Sequence, residues 1–399
     1  MKHYQILIIG GGNAGISLAA HLKLKNKKLE IAIVEPSDKH YYQPAWTLVG
    51  AGVFDVNKTV RNESDFIPKG CTWIKNRCES FLPDENAVII DSGEKITYDY
   101  LIVCPGIQLN WSWIKGLKES IGKNCVCSNY SFDTVPYTYE CLKNFSGGRV
   151  IFHNPHTPIK CGGAPHKIMY LAADYFRRKN ILNKCDIQYW SASTRLFGVE
   201  KFEKTLLKIV ERANIKLHFY QKLEEIDGEN KKAKFVGIGE NNKDQISLVE
   251  FDMIHVTPPQ SAPDFVRNSP LANSEGWVDV DKYTLQHNKW KNIFSLGDAS
   301  SLPTARTGAA IRKQVPVLAE NLLAVMNGNP PVKRYNGYSS CPIVSRYGRL
   351  VLAEFDYDNN PMETFPFDQS KERLSMYLLK KYVLPWMYWN LILKGRAQG

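Results

Sequence analysis

The sequence predicts an α/β fold, and three observations carry that expectation. Apolar strands alternate with helical patterns from the first residues, a glycine-rich turn joins the first strand to the first helix, and the same alternation restarts near Arg149. Gln5–Ile9 reads as a buried strand, Ala14–Leu24 as a helix and Leu29–Glu35 as the next strand, a βαβ opening. Ala87–Asp91 and Tyr100–Cys104 add strands. A second series opens with Arg149–Phe152, passes through a helix over Ala164–Arg178 and reaches Asp186–Trp190. Asp252–Thr257 and Asn292–Leu296 are further strands, and a long helix covers Thr307–Met326. From Asn329 the chain turns to hairpin-like runs (GRLVLAEFDY) and then a basic aromatic tail. The expected architecture is two nested Rossmann-like domains of the FAD/NAD(P) type plus a C-terminal α+β, membrane-interfacial module. The first domain takes residues 1–110 and 285–328, the second 111–284, and the module 329–399.

Composition narrows the class. Of 399 residues, 44% are hydrophobic and 23% charged, which excludes a chain too polar to bury a core. The net charge is +11, and residues 371–399 alone hold six Lys and Arg against one Glu. That fits nucleic acid, an anionic membrane or an anionic substrate. No nucleic-acid motif accompanies the charge, so no nucleic-acid partner is expected. No apolar run approaches the roughly 18 residues of a spanning helix. Val383–Leu393 (VLPWMYWNLIL), between Lys380, Lys381 and Lys394, Arg396, suits the membrane interface, and Pro385 argues against one straight helix there. The chain opens directly on a strand, so no signal or transit peptide is expected. Nine scattered cysteines without CxxC pairs point away from a disulfide framework or a metal site.

Gly10, Gly12 and Gly15 form G-x-G-x-x-G between strand and helix. They permit a tight turn, close approach of a pyrophosphate and close helix–strand packing. Glu35 follows 20 residues after Gly15, placed to accept from a ribose hydroxyl. Near the other end of this domain, Asn292–Asp298 ends a strand in Gly-Asp, where a carboxylate can accept from a ribityl hydroxyl. The helix beginning after Arg306 can face the N1–C2=O edge of an isoalloxazine. With Tyr100–Gly106 and Met253–Pro259 as crossover strands, these features resemble the two-dinucleotide-binding-domain flavoproteins, and FAD is the expected cofactor.

The strand that opens the second domain has no glycine fingerprint. It runs into His153-Asn-Pro-His-Thr-Pro-Ile-Lys-Cys-Gly-Gly-Ala-Pro165, whose three prolines remove backbone donors that a phosphate cradle needs. Nicotinamide binding is therefore not expected. Cys161 stands there instead, just before a helix and beside Lys160, both of which favour thiolate. Cys341 lies in Gly337-Tyr-Ser-Ser-Cys-Pro342, read as a proline-fixed turn. Among the histidines, His255 in its buried strand reads as structural, and His166 as a candidate proton shuttle.

The segments His40–Gly52 (HYYQPAWTLVGAG), Cys161–Tyr170, Gly337–Pro342 and Thr364–Arg373 (TFPFDQSKER) resemble the sulfide:quinone oxidoreductase family, in its mitochondrial and related bacterial form. The resemblance implies oxidation of sulfide at a redox pair, Cys161 and Cys341, joined directly or through sulfur, with two electrons passing through FAD to a membrane quinone. It implies flavin contacts from Asn13, Ala14, Glu35, Gln43, the backbone at Cys78, Asp298, Arg306, Thr307, Gly308 and Ala309, beside Gly10, Gly12, Gly15 and Gly106. The order expected is a persulfide on Cys161 and a released thiolate on Cys341. A small acceptor (thiol, sulfite or polysulfide) removes the sulfur, and Lys160 is a candidate to hold the anionic substrate. Quinone is expected among aromatics near the tail, with Phe355, Phe365, Phe367, Tyr388 and Trp389 as candidates. The setting implied is peripheral attachment to a bacterial or mitochondrial inner membrane, with homo-oligomerisation left open. Two departures stand out. Thr307–Pro316 is closer to other bacterial branches and to the flavin subunit of flavocytochrome c sulfide dehydrogenase, and Cys127 falls near where some members place a third working cysteine. The competing readings are a flavin subunit serving a cytochrome and an NADH:quinone oxidoreductase.

Overall fold

The computed structural model describes residues 2–398. Its first sheet is built on the strand Lys2–Ile9, whose last four residues are at most 2% exposed. Parallel strands cover it on both sides, Ile31–Val34 and Lys95–Val103, with Ile6 opposite Ile31 and Tyr100. Burial on both faces explains the uninterrupted apolar run. Cys71–Ile74 extends the sheet beyond Ile31–Val34. The long strand Lys95–Val103 pairs antiparallel with Ala87–Ile90 at its start and parallel with Ile293–Ser295 at its end, so a strand from late in the chain closes the first sheet. Helices Asn13–Lys25 and Gly308–Met326 pack against each other. The core here also takes Val266, Trp277, Val278 and Val280, which precede the boundary expected at 284/285.

A second, wholly parallel sheet has the order Val126–Cys127, Met253–Val256, Gly148–Asn154, Cys185–Ser191, Lys216–His218. The helix Ala164–Arg178 follows its central strand. An antiparallel sheet of Gln221–Asp227, Lys232–Gly237 and Ile246–Glu250 adjoins it.

The C-terminal region opens with an antiparallel hairpin, Ser339–Arg346 and Arg349–Phe355, which packs on helix Ala164–Arg178. Here Cys341 departs from the sequence reading: it sits within a strand opposite Ala353, not in a turn. The ladder tolerates the following proline because Pro342 faces Leu352, whose N–H bonds the Gln369 carbonyl at 3.2 Å on the far side. The tail is helical from Leu374 to Asn390, but Leu379–Val383 is a π turn just ahead of Pro385. The wider turn accommodates the proline without ending the helix.

Candidate active site

Three segments distant in sequence meet at the glycine turn. A Cβ built on Gly297 would lie 3.4 Å from Ala14 Cβ, and one on Gly308 would lie 3.5 Å from Asn13 Nδ2. The Gly297–Asp298 corner and the start of helix Gly308–Met326 therefore border the turn. Gly10 has φ +108° and faces the Cys104 carbonyl, next to Pro105 and Gly106. A side chain on Gly15 would overlap the Gly10 carbonyl, whereas nothing lies within 4 Å of a Cβ on Gly12. That open space is what the close approach of a pyrophosphate requires. Glu35 accepts from Gly11 N at 2.8 Å and Ser37 N at 2.8 Å, which fixes its carboxylate beside the turn. Thr307 caps its helix by accepting from Ala310 N at 3.1 Å, and a cavity lined by Asp298, Arg306, Thr307 and Gln314 lies ahead of that helix. Burial pushes the Asp298 carboxyl up, against the pull of Arg306 and Lys160. Arg306 stacks on Trp277, 3.9 Å from its ring, and Ala309 is in the first turn of the helix. Cys78 opens a strand of the same sheet, its Sγ on the Ser80 carbonyl at 3.8 Å. The residues present fit a dinucleotide laid from Glu35 across the turn toward Asp298.

The two cysteines come together beside this cleft. Cys161 Sγ and Cys341 Sγ are 3.8 Å apart, across 180 residues of sequence. Cys161 N donates to the Arg306 carbonyl at 2.7 Å, which ties the cysteine to the segment entering the Thr307 cap. Cys161 has φ +56°, an uncommon conformation for a residue with a side chain. Gly163 explains the proximity of the pair, since a Cβ there would come within 2.5 Å of Cys341 Sγ. Ser339, on the Cys341 strand, bonds Thr307 Oγ1 at 2.9 Å, so both cysteines are braced on residues 306–307.

Their electrostatics differ. Lys167 Nζ donates to Cys161 Sγ at 2.9 Å. The hydrogen bond from Cys341, with Lys167 and Lys380, outweighs burial and holds the Cys161 thiol well below its usual range. The same bond and burial drive the Cys341 thiol well up. Burial works against the charge on Lys167, but the two sulfurs more than restore it. Lys380 is buried, donates to the Pro44 carbonyl at 3.1 Å, and is brought down to about 7 by burial and Lys167.

Two expectations change accordingly. The cation on Cys161 is Lys167, one turn into the helix, not Lys160. Lys160 Nζ donates instead to Gln43 Oε1 at 2.6 Å and the Tyr130 carbonyl at 3.2 Å, and lies 5.2 Å from the Trp46 ring centroid. Lys380, counted with the lipid-facing charge of the tail, turns inward to the cysteines. Sequence reasoning assigned neither lysine to the cysteines. The available signal for Lys167 was a lone charge ahead of the apolar run Ile168–Leu171.

The quinone candidates fall into two groups. Phe365 and Phe367 stack at 5.3 Å and pack with Phe355 in the core that contains Cys341. Tyr388 and Trp389 are buried in a separate cluster with Tyr42 and Phe66. His166 bonds the Tyr189 hydroxyl at 2.8 Å and burial brings it down to about 3, so it is uncharged near neutrality. His255 Nε2 accepts from Asn129 N at 3.0 Å, in keeping with a structural role. Cys127 is buried in its strand with Sγ on the Ile254 carbonyl at 3.5 Å.

The family model described as pyridine nucleotide-disulphide oxidoreductase matches residues 4–132. The chain is 44% identical to the mitochondrial sulfide:quinone oxidoreductase of Mus musculus, over all of this chain and 88% of that protein. It is 48% identical to the protein of that name from Dictyostelium discoideum, over 99% of this chain and 87% of the relative. The crystal structure of the Aquifex aeolicus sulfide:quinone oxidoreductase shares the fold, with a TM-score of 0.84 at 19% identity, covering 100% of this chain and 93% of that one.

Proposed function

The chain belongs to the sulfide:quinone oxidoreductase family, and on that premise we propose how its own residues oxidise sulfide with a quinone as acceptor. The observation that carries the reading is the pair of sulfurs 3.8 Å apart, with one ammonium on Cys161 Sγ. In the oxidised state the pair is joined by a disulfide or a sulfur bridge. Hydrosulfide attacks Cys341, the S–S bond breaks, and Cys341 carries a persulfide while Cys161 leaves as thiolate. A leaving thiol of low pKa departs faster, and Lys167 provides that at Cys161. This reverses the order expected from the sequence. A nucleophilic acceptor (a thiol, sulfite or polysulfide) then takes the outer sulfur and frees the Cys341 thiolate.

Gly10–Gly15, Glu35, Gln43, Gly106, Asp298 and Arg306–Ala309 would hold FAD, which would supply the two-electron chemistry that returns the cysteines to the oxidised state with quinone as final acceptor. Lys160 orients Gln43 and balances Asp298. Lys380 stabilises negative charge at the sulfurs. We place the quinone on the tail side, near Phe355, Phe365, Phe367 or Tyr388. Among the described residues no helix is long and apolar enough to cross a membrane, and the apolar face of the tail suits peripheral attachment.

Anaerobic titration with sulfide tests this reading. Sulfide bleaches the flavin band, a short-chain quinone restores it, and NADH leaves it unchanged on that timescale. Bleaching by NADH but not by sulfide would overturn it. Cys161→Ser retains flavin, because the glycine turn and Asp298 are untouched, and loses sulfide-driven bleaching.

A further inference from the structure

Glu63 belongs to no motif, yet it lies against the glycine turn. Its side chain is 2% exposed. One carboxylate oxygen, Oε2, bonds His40 Nδ1 at 2.8 Å, and His40 Nε2 bonds the Tyr388 hydroxyl at 2.7 Å. The Nδ1–H tautomer satisfies both bonds, with His40 donating to Glu63 and Tyr388 donating to His40. The other oxygen, Oε1, is buried and has no partner among the described residues. It lies against Gly11: a Cβ built there would be 2.5 Å from Glu63 Oε1 and 2.7 Å from Glu35 Cγ. Both acidic side chains therefore converge on one backbone position. Glu35 already accepts an N–H on each oxygen, from Gly11 and from Ser37. The free acceptor is the one on Glu63.

A buried carboxylate oxygen without a donor is costly. A second carboxylate nearby makes a neutral donor preferable to a further anion. A sugar hydroxyl is such a donor, and the glycine turn is where a dinucleotide presents one. We propose that Glu63 is a second acidic acceptor for the ribose of the bound flavin dinucleotide, and that His40 and Tyr388 link it to the C-terminal helix. Tyr388 lies on Leu384–Asn390, so seating of the tail and retention of the dinucleotide are coupled. Coupling of this kind is reciprocal: the dinucleotide tightens the tail as much as the tail tightens the dinucleotide. The inference rests on the reading that this turn holds FAD.

The test uses the full chain, stripped of flavin and titrated with FAD, with Kd read from fluorescence. Glu63→Gln raises Kd about tenfold, the loss of one hydrogen bond to a charged group. Its flavin-free unfolding midpoint stays close to the parent's, while the rise in midpoint on adding FAD shrinks. An unchanged Kd, or a lower flavin-free midpoint with an unchanged Kd, overturns the ribose role. Tyr388→Phe removes one oxygen and keeps the ring packing. FAD slows tryptic cleavage of the tail severalfold in the parent, and this protection is lost in Tyr388→Phe. Equal protection in the two proteins overturns the link to the tail. If the parent apoprotein fails to bind FAD, the cofactor reading itself falls, an outcome distinct from a parent that binds and a variant that matches it.

Discussion

Cys161 and Cys341 have the same side chain and opposite character because of what surrounds them. Lys167 Nζ lies 2.9 Å from Cys161 Sγ, and the bond between the sulfurs together with that ammonium holds Cys161 low while the same bond and burial drive Cys341 up. A thiol held low stays ionised as the pH falls, so its reactivity has an acid limb at lower pH than that of an ordinary cysteine. Lys167→Met removes the ammonium, raises the pKa of Cys161, and moves the acid limb of sulfide-driven flavin reduction up by about one pH unit. Stopped-flow bleaching across pH checks this, and an unmoved limb would place the control elsewhere. Flavin content should not change. Cys161 was legible in the sequence because Gly-Gly-Ala-Pro announces a helix start. Lys167 was not, because helix Ala164–Arg178 must first pack on the Cys341 hairpin before its charged residue has a sulfur to face. Adjacency in sequence favoured Lys160, whose side chain turns to Gln43.

The elements around Cys341 are held by one buried carboxylate. Glu354, next to the Ala353 that pairs with Cys341, is 4% exposed. It receives the Tyr338 hydroxyl, Thr364 N at 2.9 Å, Thr364 Oγ1 at 3.0 Å and Gln369 Nε2 at 2.8 Å. This network fastens the Thr364–Arg373 segment to the outer edge of the hairpin, where Leu350 and Leu352 direct their N–H groups. Glu354→Gln turns one acceptor into a donor facing donors and lowers stability by about 1–3 kcal/mol. A urea midpoint indistinguishable from the parent's would show that the network is replaceable. The hairpin itself was legible from GRLVLAEFDY. The strand at Cys341 was hidden because Pro342 reads as a turn residue, and only the pairing pattern reveals that its missing N–H is not needed there. The strands and helices of the two parallel sheets were easier: two-sided burial and glycine punctuation are local signals, so the helix expected over Ala164–Arg178 and the strand at Asn292–Leu296 appear within a residue of their observed bounds.

At the scale of the molecule, the tail divides its residues between two environments. Met376, Tyr377, Lys380, Tyr388 and Trp389 turn inward, and Lys380 is buried despite its charge. Leu374, Leu378, Tyr382 and Trp386 recur every four residues along the helical run and are 43–58% exposed, with Val383 beside them at 44%. A stripe of this kind is apolar surface left uncovered by the described residues. Lys371, Lys381, Lys394 and Arg396 flank it. The sequence showed the composition of this segment but not which residues face out, since the π turn shifts the helical phase between Leu378 and Leu384. A membrane surface fits both features: each well-placed cation contributes about 1 kcal/mol on anionic lipid, and burying a large apolar side chain contributes about 1.5–3 kcal/mol. The two contributions separate by experiment. In flotation with vesicles carrying anionic lipid, Leu378→Ser with Trp386→Ser lowers the bound fraction at least tenfold at any salt concentration. Raising the salt weakens the parent only in part, because screening reaches the charges and leaves the apolar stripe in place. Flavin bleaching by sulfide in solution is unaffected in this double variant, since neither side chain touches the cysteines. Binding of the variant equal to that of the parent would mean that charge alone holds the protein to lipid, and that the exposed stripe serves another surface.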